Sequence, residues 1–242
     1  MCIRDRSIPY CLGSATFTDS FSVSGKETSP QGLAFSTDGT KMFIVGMEEV
    51  DVTEYTLGTA WDVSTATFVD DKSVDQGTNY DKPRAIDFSS DGTKMRILWS
   101  DKDVVGEYTC TAGFDVSTCS YTSSEPMDIS SQEADPEDIA FNTDGTKMFI
   151  VGKTGEDVYE YTCTAFDLST CSYSGDGERL QIQSQTVTPL GMAFNDDGTR
   201  LFIVSNTDND VQEYACSTGF DVSTCTVDSG DPFSVSSDDS DP

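Results

Sequence analysis

Proline stands at positions 30, 83, 136, 189 and 242, every 53 residues without a slip, and a period of that length marks one supersecondary unit copied in series. Each copy repeats one phrase. Ala34-Phe35-Ser36 leads into Asp38-Gly39-Thr40-Lys41, and the same turn returns at Asp91, Asp144 and Asp197. A core built this way lies between stacked neighbours and not inside a single two-layer domain. The predicted organisation is four full units over 30–82, 83–135, 136–188 and 189–241, a partial unit over 7–29 holding an outer strand near Ala15 to Val23 and its connector, and a foreign stretch over 1–6.

Within a unit, Gly32 to Ser36 is short and apolar, Asp38-Gly39 supplies the positive-φ position of a tight turn, and Lys41 to Gly46 is a second β-rich run. Val52 to Leu57 and Ala66 to Val69 make a third and a fourth. Four short antiparallel strands per unit, with no helical periodicity, describe the blade of an all-β propeller. Small residues on the first strand (Gly32, Ala34, Ala85, Ala140, Gly191, Ala193) suit the crowded channel wall. A β-solenoid would have shorter coils, and a string of sandwiches would need about twice the residues per domain.

The phrase AFSTDGTKMFIVG and its copies AFNTDGTKMFIVG and AFNDDGTRLFIVS resemble the signature strand pair of bacterial surface and secreted propellers of the YVTN, NHL and lactonase-like kind. The resemblance spans residues 15 to 242. It implies the fold, in a superfamily that includes adhesins, ligand-binding modules and a few hydrolases. The Trp-Asp of WD40 strands and the double glycine of kelch repeats are both missing. Residues 1–6, MCIRDR, resemble a translated adapter scar, and Pro242 falls on the repeat's own proline. The expectation is therefore an arc of a larger ring within a longer protein, with further blades or flanking domains as partners.

With 43 acidic and 14 basic residues, no histidine and a formal charge of −29, the surface repels phosphate backbones and anionic lipid. Nucleic acid and membrane insertion are excluded as partners on that ground, and no apolar run approaches the ~18 residues of a membrane span. No signal peptide is legible in this stretch. Cysteines recur in pairs in copies two to four, as Cys110/Cys119, Cys163/Cys171 and Cys216/Cys225, while copy one holds Leu57 and Ala66 at those places. Both members are present or both absent, as a bond between them requires. Their spacing is not that of a zinc site, so three disulfides in an oxidising, extracellular or cell-surface setting are expected.

Residues that recur in every copy read as scaffold: the Glu54-Tyr55, Glu107-Tyr108, Glu160-Tyr161 and Glu213-Tyr214 pairs, and the turn aspartates Asp62, Asp115, Asp167 and Asp221. Candidate ligand-binding residues are those that vary around the repeated proline: Glu27, Tyr80, Glu133 and Thr186 three before it, Lys82 and Asp135 just before it, Arg84 and Glu137 just after it. Asn206, Asp208 and Asp210 are candidate calcium donors, although the glycine and distal glutamate of an EF-hand loop are missing. No catalytic Ser/His/Asp set can be drawn, and no cofactor is expected beyond calcium. In copy two, Asp87 and Arg96 replace the Ala and Phe of the other copies, and are expected to form an ion pair across the first hairpin. The preferred function is a secreted or surface-displayed binding module for an extracellular protein or glycan. The alternatives are a metal-assisted lactonase or gluconolactonase-like hydrolase drawing on Glu27, Glu133 and Asp135, and a structural stalk or surface-layer module.

Overall fold

The computed structural model describes residues 12, 15, 17–77, 80–122, 126–228 and 232–236. Cys2, Cys11 and Pro242 lie outside them. Each full repeat forms one antiparallel sheet. Blade 1 holds β1 (Pro30–Phe35), β2 (Lys41–Gly46), β3 (Asp51–Leu57) and β4 (Ala66–Ser73) in that order. Blade 2 holds β5 (Pro83–Phe88), β6 (Lys94–Trp99), β7 (Val104–Cys110), β8 (Cys119–Tyr121) and β9 (Met127–Asp128). Blade 3 holds β10 (Pro136–Phe141), β11 (Lys147–Gly152), β12 (Asp157–Thr164), β13 (Asp167–Tyr173) and β14 (Arg179–Gln181). Blade 4 holds β15 (Pro189–Phe194), β16 (Arg200–Ser205), β17 (Asp210–Cys216), β18 (Cys225–Val227) and β19 (Phe233–Ser234). In blades 2 to 4 the outer strand is broken, and its second piece pairs separately with the third strand. Among the described residues, helix is confined to single 3-10 turns such as Val63–Thr65. The first strands stand innermost, side by side, so the sheets are four blades of a β-propeller.

The first hairpin departs from a two-residue turn. Ser89 N donates to Lys94 O and Gly92 N to Ser89 O, which leaves a four-residue loop with Gly92 at φ +70°. The loop is stapled by its aspartate: in blade 1, Asp38 Oδ1 accepts from Thr40 Oγ1 at 2.7 Å, Thr40 N at 3.0 Å and Ser36 Oγ at 2.7 Å. These bonds hold the Asp38 carboxyl down at about 2. An aromatic lies on each turn glycine, Trp61 on Gly39 and Phe114 on Gly92, where a Cβ would come within 2.2 and 2.4 Å of the ring. Glycine is therefore required twice over, by φ and by the ring.

Blades join through one interface used three times. Phe43, Val45 and Val52 of blade 1 pack on Ile86, Met95 and Ile97 of blade 2, and the same layers recur between blades 2 and 3 and between blades 3 and 4. Between blades 1 and 2 and between blades 3 and 4 the recurrent glutamate clamps the next blade. Glu54 binds Lys41 Nζ at 2.6 Å and accepts from Val116 N at 3.0 Å, and Lys41 Nζ also donates to Phe114 O at 2.6 Å. Glu160, Lys147, Val222 and Phe220 repeat the arrangement two interfaces on, between blades 3 and 4. The Glu-Tyr pairs are thus scaffold, as their recurrence suggested.

The partial unit sits against both ends of this series. The Leu12 N–H bonds Glu213 in blade 4, taking the place Val116 and Val222 hold elsewhere, while Phe21 and Val23 pack on Met42, Ile44 and Tyr55 of blade 1. The outer strand expected over 15–23 is not formed among its described residues. An outer strand needs the third strand of its own blade as ladder partner, and this unit has none, so it is held by side chains.

Among the described residues three disulfides are present, Cys110–Cys119, Cys163–Cys171 and Cys216–Cys225. Two of them join directly paired positions of strands 3 and 4, and in blade 1 Leu57 pairs with Ala66 in the same register.

Candidate functional site

A bulge in each inner strand builds the channel mouth. Pro30 pairs with Gly46 but Gly32 with Val45, so Gln31 is the extra residue, and Arg84, Glu137 and Leu190 are extra in the other blades. A bulge re-aims a side chain. All four turn into one cavity of about 720 Å³ that reaches from the mouth down the channel wall. Within it Glu137, 4% exposed, binds Lys153 Nζ at 2.7 Å and lies 3.7 Å from Arg84 Nη1, which also donates to Gln31 Oε1. Arg84 Nε is held by Ser100 Oγ at 3.2 Å. Burial raises the Glu137 carboxyl and the two cations oppose it. The cavity lining thus sets two cations, Arg84 and Lys153, against two carboxylates, Glu137 and Asp138.

Asp138 lies one residue deeper on the same wall, at a position held by Gly32, Ala85 and Gly191 in the other blades. Its Oδ2 accepts from Met192 N at 2.7 Å and its Oδ1 from Ile139 N at 2.8 Å, so it ties blade 3 to blade 4. Burial outweighs those bonds and, with help from the nearby Asp87 and Glu137 charges, pushes its carboxyl up to about 7. Sequence reasoning passed over both Asp138 and Lys153. The available signal was asymmetry: a lone acid among Gly, Ala and Gly, and a lone cation among Met47, Ser100 and Asn206.

The other sequence candidates are placed differently. Glu27 and Glu133 are 1% and 0% exposed and face their own blades. Glu133 accepts from Asp135 N, Thr154 N and Gly155 N at 2.9, 2.9 and 3.0 Å, and Glu27 serves the corresponding loop of blade 1. Their variation follows packing. Each glutamate fills the space left by a glycine, Gly46 or Gly152, whereas in blade 2 Tyr80 packs edge-on against Trp99 at 5.4 Å, and in blade 4 Thr186 is buried beside Tyr214. Lys82 is exposed and Asp135 half-buried, and the backbone carbonyl of each accepts from the loop after its second strand. Of the eight residues proposed from the sequence, the structure brings Arg84 and Glu137 together in the cavity.

Asn206 also lines that cavity, while Asp208 turns back on Ser205 and Asp210 begins β17. Elsewhere Glu160, Glu178 and Asp221 gather one oxygen each within 4.8 Å, but Glu160 is already engaged by Lys147 and Val222 in the blade clamp. Asp87 and Arg96 pair in the ladder as expected, with Nη1 and Oδ2 3.5 Å apart. Arg96 does more than that pairing implied: it is fully buried, lies over the Phe141 ring and donates to Phe166 O of blade 3 at 2.6 Å. No helix among the described residues is long and apolar enough to cross a membrane.

No protein-family model matches the chain, and no curated protein matches it. Solved structures do. A candidate 6-phosphogluconolactonase from Bacteroides fragilis aligns with TM-score 0.56 and 14% identity over 90% of this chain and 60% of its own. One from Bacteroides uniformis aligns at 0.55 and 15% over 84% and 56%, and a periplasmic gluconolactonase from Pseudomonas aeruginosa at 0.51 and 14% over 84% and 52%. The chain therefore spans between half and three-fifths of the length of these proteins. At such identities the likeness is one of fold, and what it establishes is that this chain shares the β-propeller architecture of lactonase-like proteins.

Proposed function

We propose that the protein is an extracytoplasmic hydrolase of the lactonase kind, working at the channel mouth. One observation carries the reading: a half-buried carboxylate at a position held by glycine or alanine in the other blades, Asp138, stands on the cavity wall with Arg84, Glu137 and Lys153. The fold shared with proteins named as gluconolactonases supports it, and the three disulfides suit an oxidising compartment. In this reading Arg84 and Lys153 hold the carbonyl oxygen of a small lactone and stabilise the charge it gains. Asp138 takes a proton from water as the water attacks the carbonyl carbon. The ring C–O bond then breaks, and the proton passes to the leaving alkoxide, giving the open hydroxy acid.

A base raised to about 7 is active once ionised, so kcat/KM for an aldonolactone should climb with pH through about 7. Asp138→Asn should lower kcat about a hundredfold and abolish that limb. Two opposed changes set its stability at pH 8: the amide removes the ionisation penalty of a carboxylate with a raised folded pKa, but it can accept from only one of the Ile139 and Met192 N–H groups and leaves the other without an acceptor. EDTA should leave the rate unchanged, because the polarising charges belong to the chain; a loss restored by calcium would transfer the chemistry to Asn206, Asp208 and Asp210. Retention of the rate and its pH limb in Asp138→Asn would end the hydrolytic reading, and binding of the open acid without turnover would return the mouth to the recognition role.

A further inference from the structure

We propose that the Cys163–Cys171 bond of blade 3 is a redox-sensitive latch on the joint between blades 2 and 3, opened by a dithiol while the other two disulfides stay closed. Each disulfide encloses the loop by which its blade grips the one before it: Phe114 O accepts from Lys41, Phe166 O from Arg96 and Phe220 O from Lys147. Three features set the blade 3 bond apart. Cys110, Cys119, Cys216 and Cys225 are 3%, 1%, 6% and 6% exposed, whereas Cys171 is only half-buried. Cys110 and Cys216 stand directly opposite their partners in the ladder, but in blade 3 the register breaks between Thr162 and Thr164 and leaves Cys163 out of the paired positions. The loop is also one residue shorter, because Gly113 and Gly219 have no counterpart in it. Ala165 and Phe166 both take left-handed backbone there, at φ +36° and +61°, where blades 2 and 4 have one such residue each, Phe114 and Phe220. Side chains with a Cβ are strained in that region.

A thiolate of the dithiol attacks the accessible Cys171 Sγ, the S–S bond breaks, and its electron pair leaves on Cys163 Sγ, which takes a proton. The second thiol of the reductant then displaces Cys171, so the blade gains two thiols and the dithiol departs as a cyclic disulfide. What the bond holds is the polar joint of the two blades. Arg96 is 0% exposed, its Nη2 donates to Phe166 O at 2.6 Å, and its guanidinium lies over the Phe141 and Phe166 rings at 4.4 and 5.2 Å. Once the bond opens, the loop relaxes its left-handed pair and withdraws that carbonyl from a buried cation. The same joint sets Arg84 of blade 2 against Glu137 of blade 3, 3.7 Å apart, so the latch reaches the channel mouth whether the mouth hydrolyses a ligand or only binds one.

The test treats the intact protein with dithiothreitol, traps free thiols with iodoacetamide at intervals and locates them by peptide mass spectrometry. Cys163 and Cys171 are expected to be labelled about tenfold faster than the four cysteines of blades 2 and 4. Hydrogen exchange on the protein reduced at this pair alone should rise in residues 164–170 and in the strands that flank Arg96, β6 and β10, with β2 and β16 unchanged. Cys163→Ser with Cys171→Ser should show the same local rise without reductant. Neither measurement uses a substrate, so failure of the hydrolytic reading leaves this result untouched. The latch is overturned if the three pairs open together, if another pair opens first, if β6 and β10 exchange as before, or if exchange rises equally in all four blades, which would make the bond a general staple.

Discussion

Replacing all six paired cysteines by serine should lower the melting temperature by about 15 to 30 °C. Each bond closes a loop of 8 or 9 residues, and the chain-entropy model assigns about 2.7 kcal/mol to a loop of about 10. Three together contribute about 8 kcal/mol, comparable with the ~5 to 15 kcal/mol that holds a typical domain folded. For a chain of this size ~1 kcal/mol moves the midpoint by about 2 to 4 °C. Blade 1 shows how to separate the bond from the packing. There Leu57 and Ala66 occupy the paired positions, so Cys110→Leu with Cys119→Ala should recover the buried contact but not the loop constraint, and should fall between wild type and the double serine. A drop of less than about 5 °C for the full serine variant, measured by calorimetry, would show that the unfolded chain gains little freedom when the bonds are lost.

Arg96→Ala should destabilise the protein by roughly 3 to 5 kcal/mol at pH 7, because it strands a buried carboxylate. The arginine serves four partners at once: Asp87 at 3.5 Å, Glu107 at 3.3 Å, Phe166 O at 2.6 Å and the Phe141 ring at 4.4 Å. Burial outweighs its attraction and already pushes Asp87 up to about 6. The folded protein therefore loses stability as pH rises from about 4 to 6, and removing Arg96 raises the Asp87 pKa further and deepens the loss. At pH 4, where Asp87 is protonated in either protein, the cost of the substitution should shrink. Asp87→Ala with Arg96→Phe restores the pair found in the other blades and should be nearly neutral. Lys94, now bound to Glu107 at 2.7 Å, can then reach the Phe166 carbonyl as Lys41 and Lys147 reach theirs. Denaturant midpoints for the single and double variants at pH 4 and 7 check this, and a double variant as unstable as the single one would defeat the pairing.

The hairpin register that brings Asp87 opposite Arg96 was correct for a turn that does not exist. A two-residue turn at Asp91-Gly92 and the four-residue loop actually formed share one register, since each is centred on the same bond. Side-chain pairing is set by where a loop is centred and not by its length, so the error was harmless. The rim candidates fared otherwise. Glu27, Tyr80, Glu133 and Thr186 vary between copies, and variation reads as adaptation to a ligand when only position is known. The partners of Glu27, Tyr80 and Glu133, namely Gly46, Trp99 and Gly152, stand 19 residues on in each case and vary in step. That packing relation is invisible until the second strand folds back.

What the chain determines locally is whatever its period and composition repeat: the blade, its strands, the turn glycines and the three covalent staples. Each depends on residues close in sequence, within one unit or one hairpin. The tertiary structure alone decided that bulges at Gln31, Arg84, Glu137 and Leu190 converge on one cavity and that Asp138 and Lys153 join them. Apart from Lys153 with Glu137, which share a blade, these are contacts between units 53 or more residues apart. They arise from the angle at which successive blades stack, a quantity no single repeat encodes.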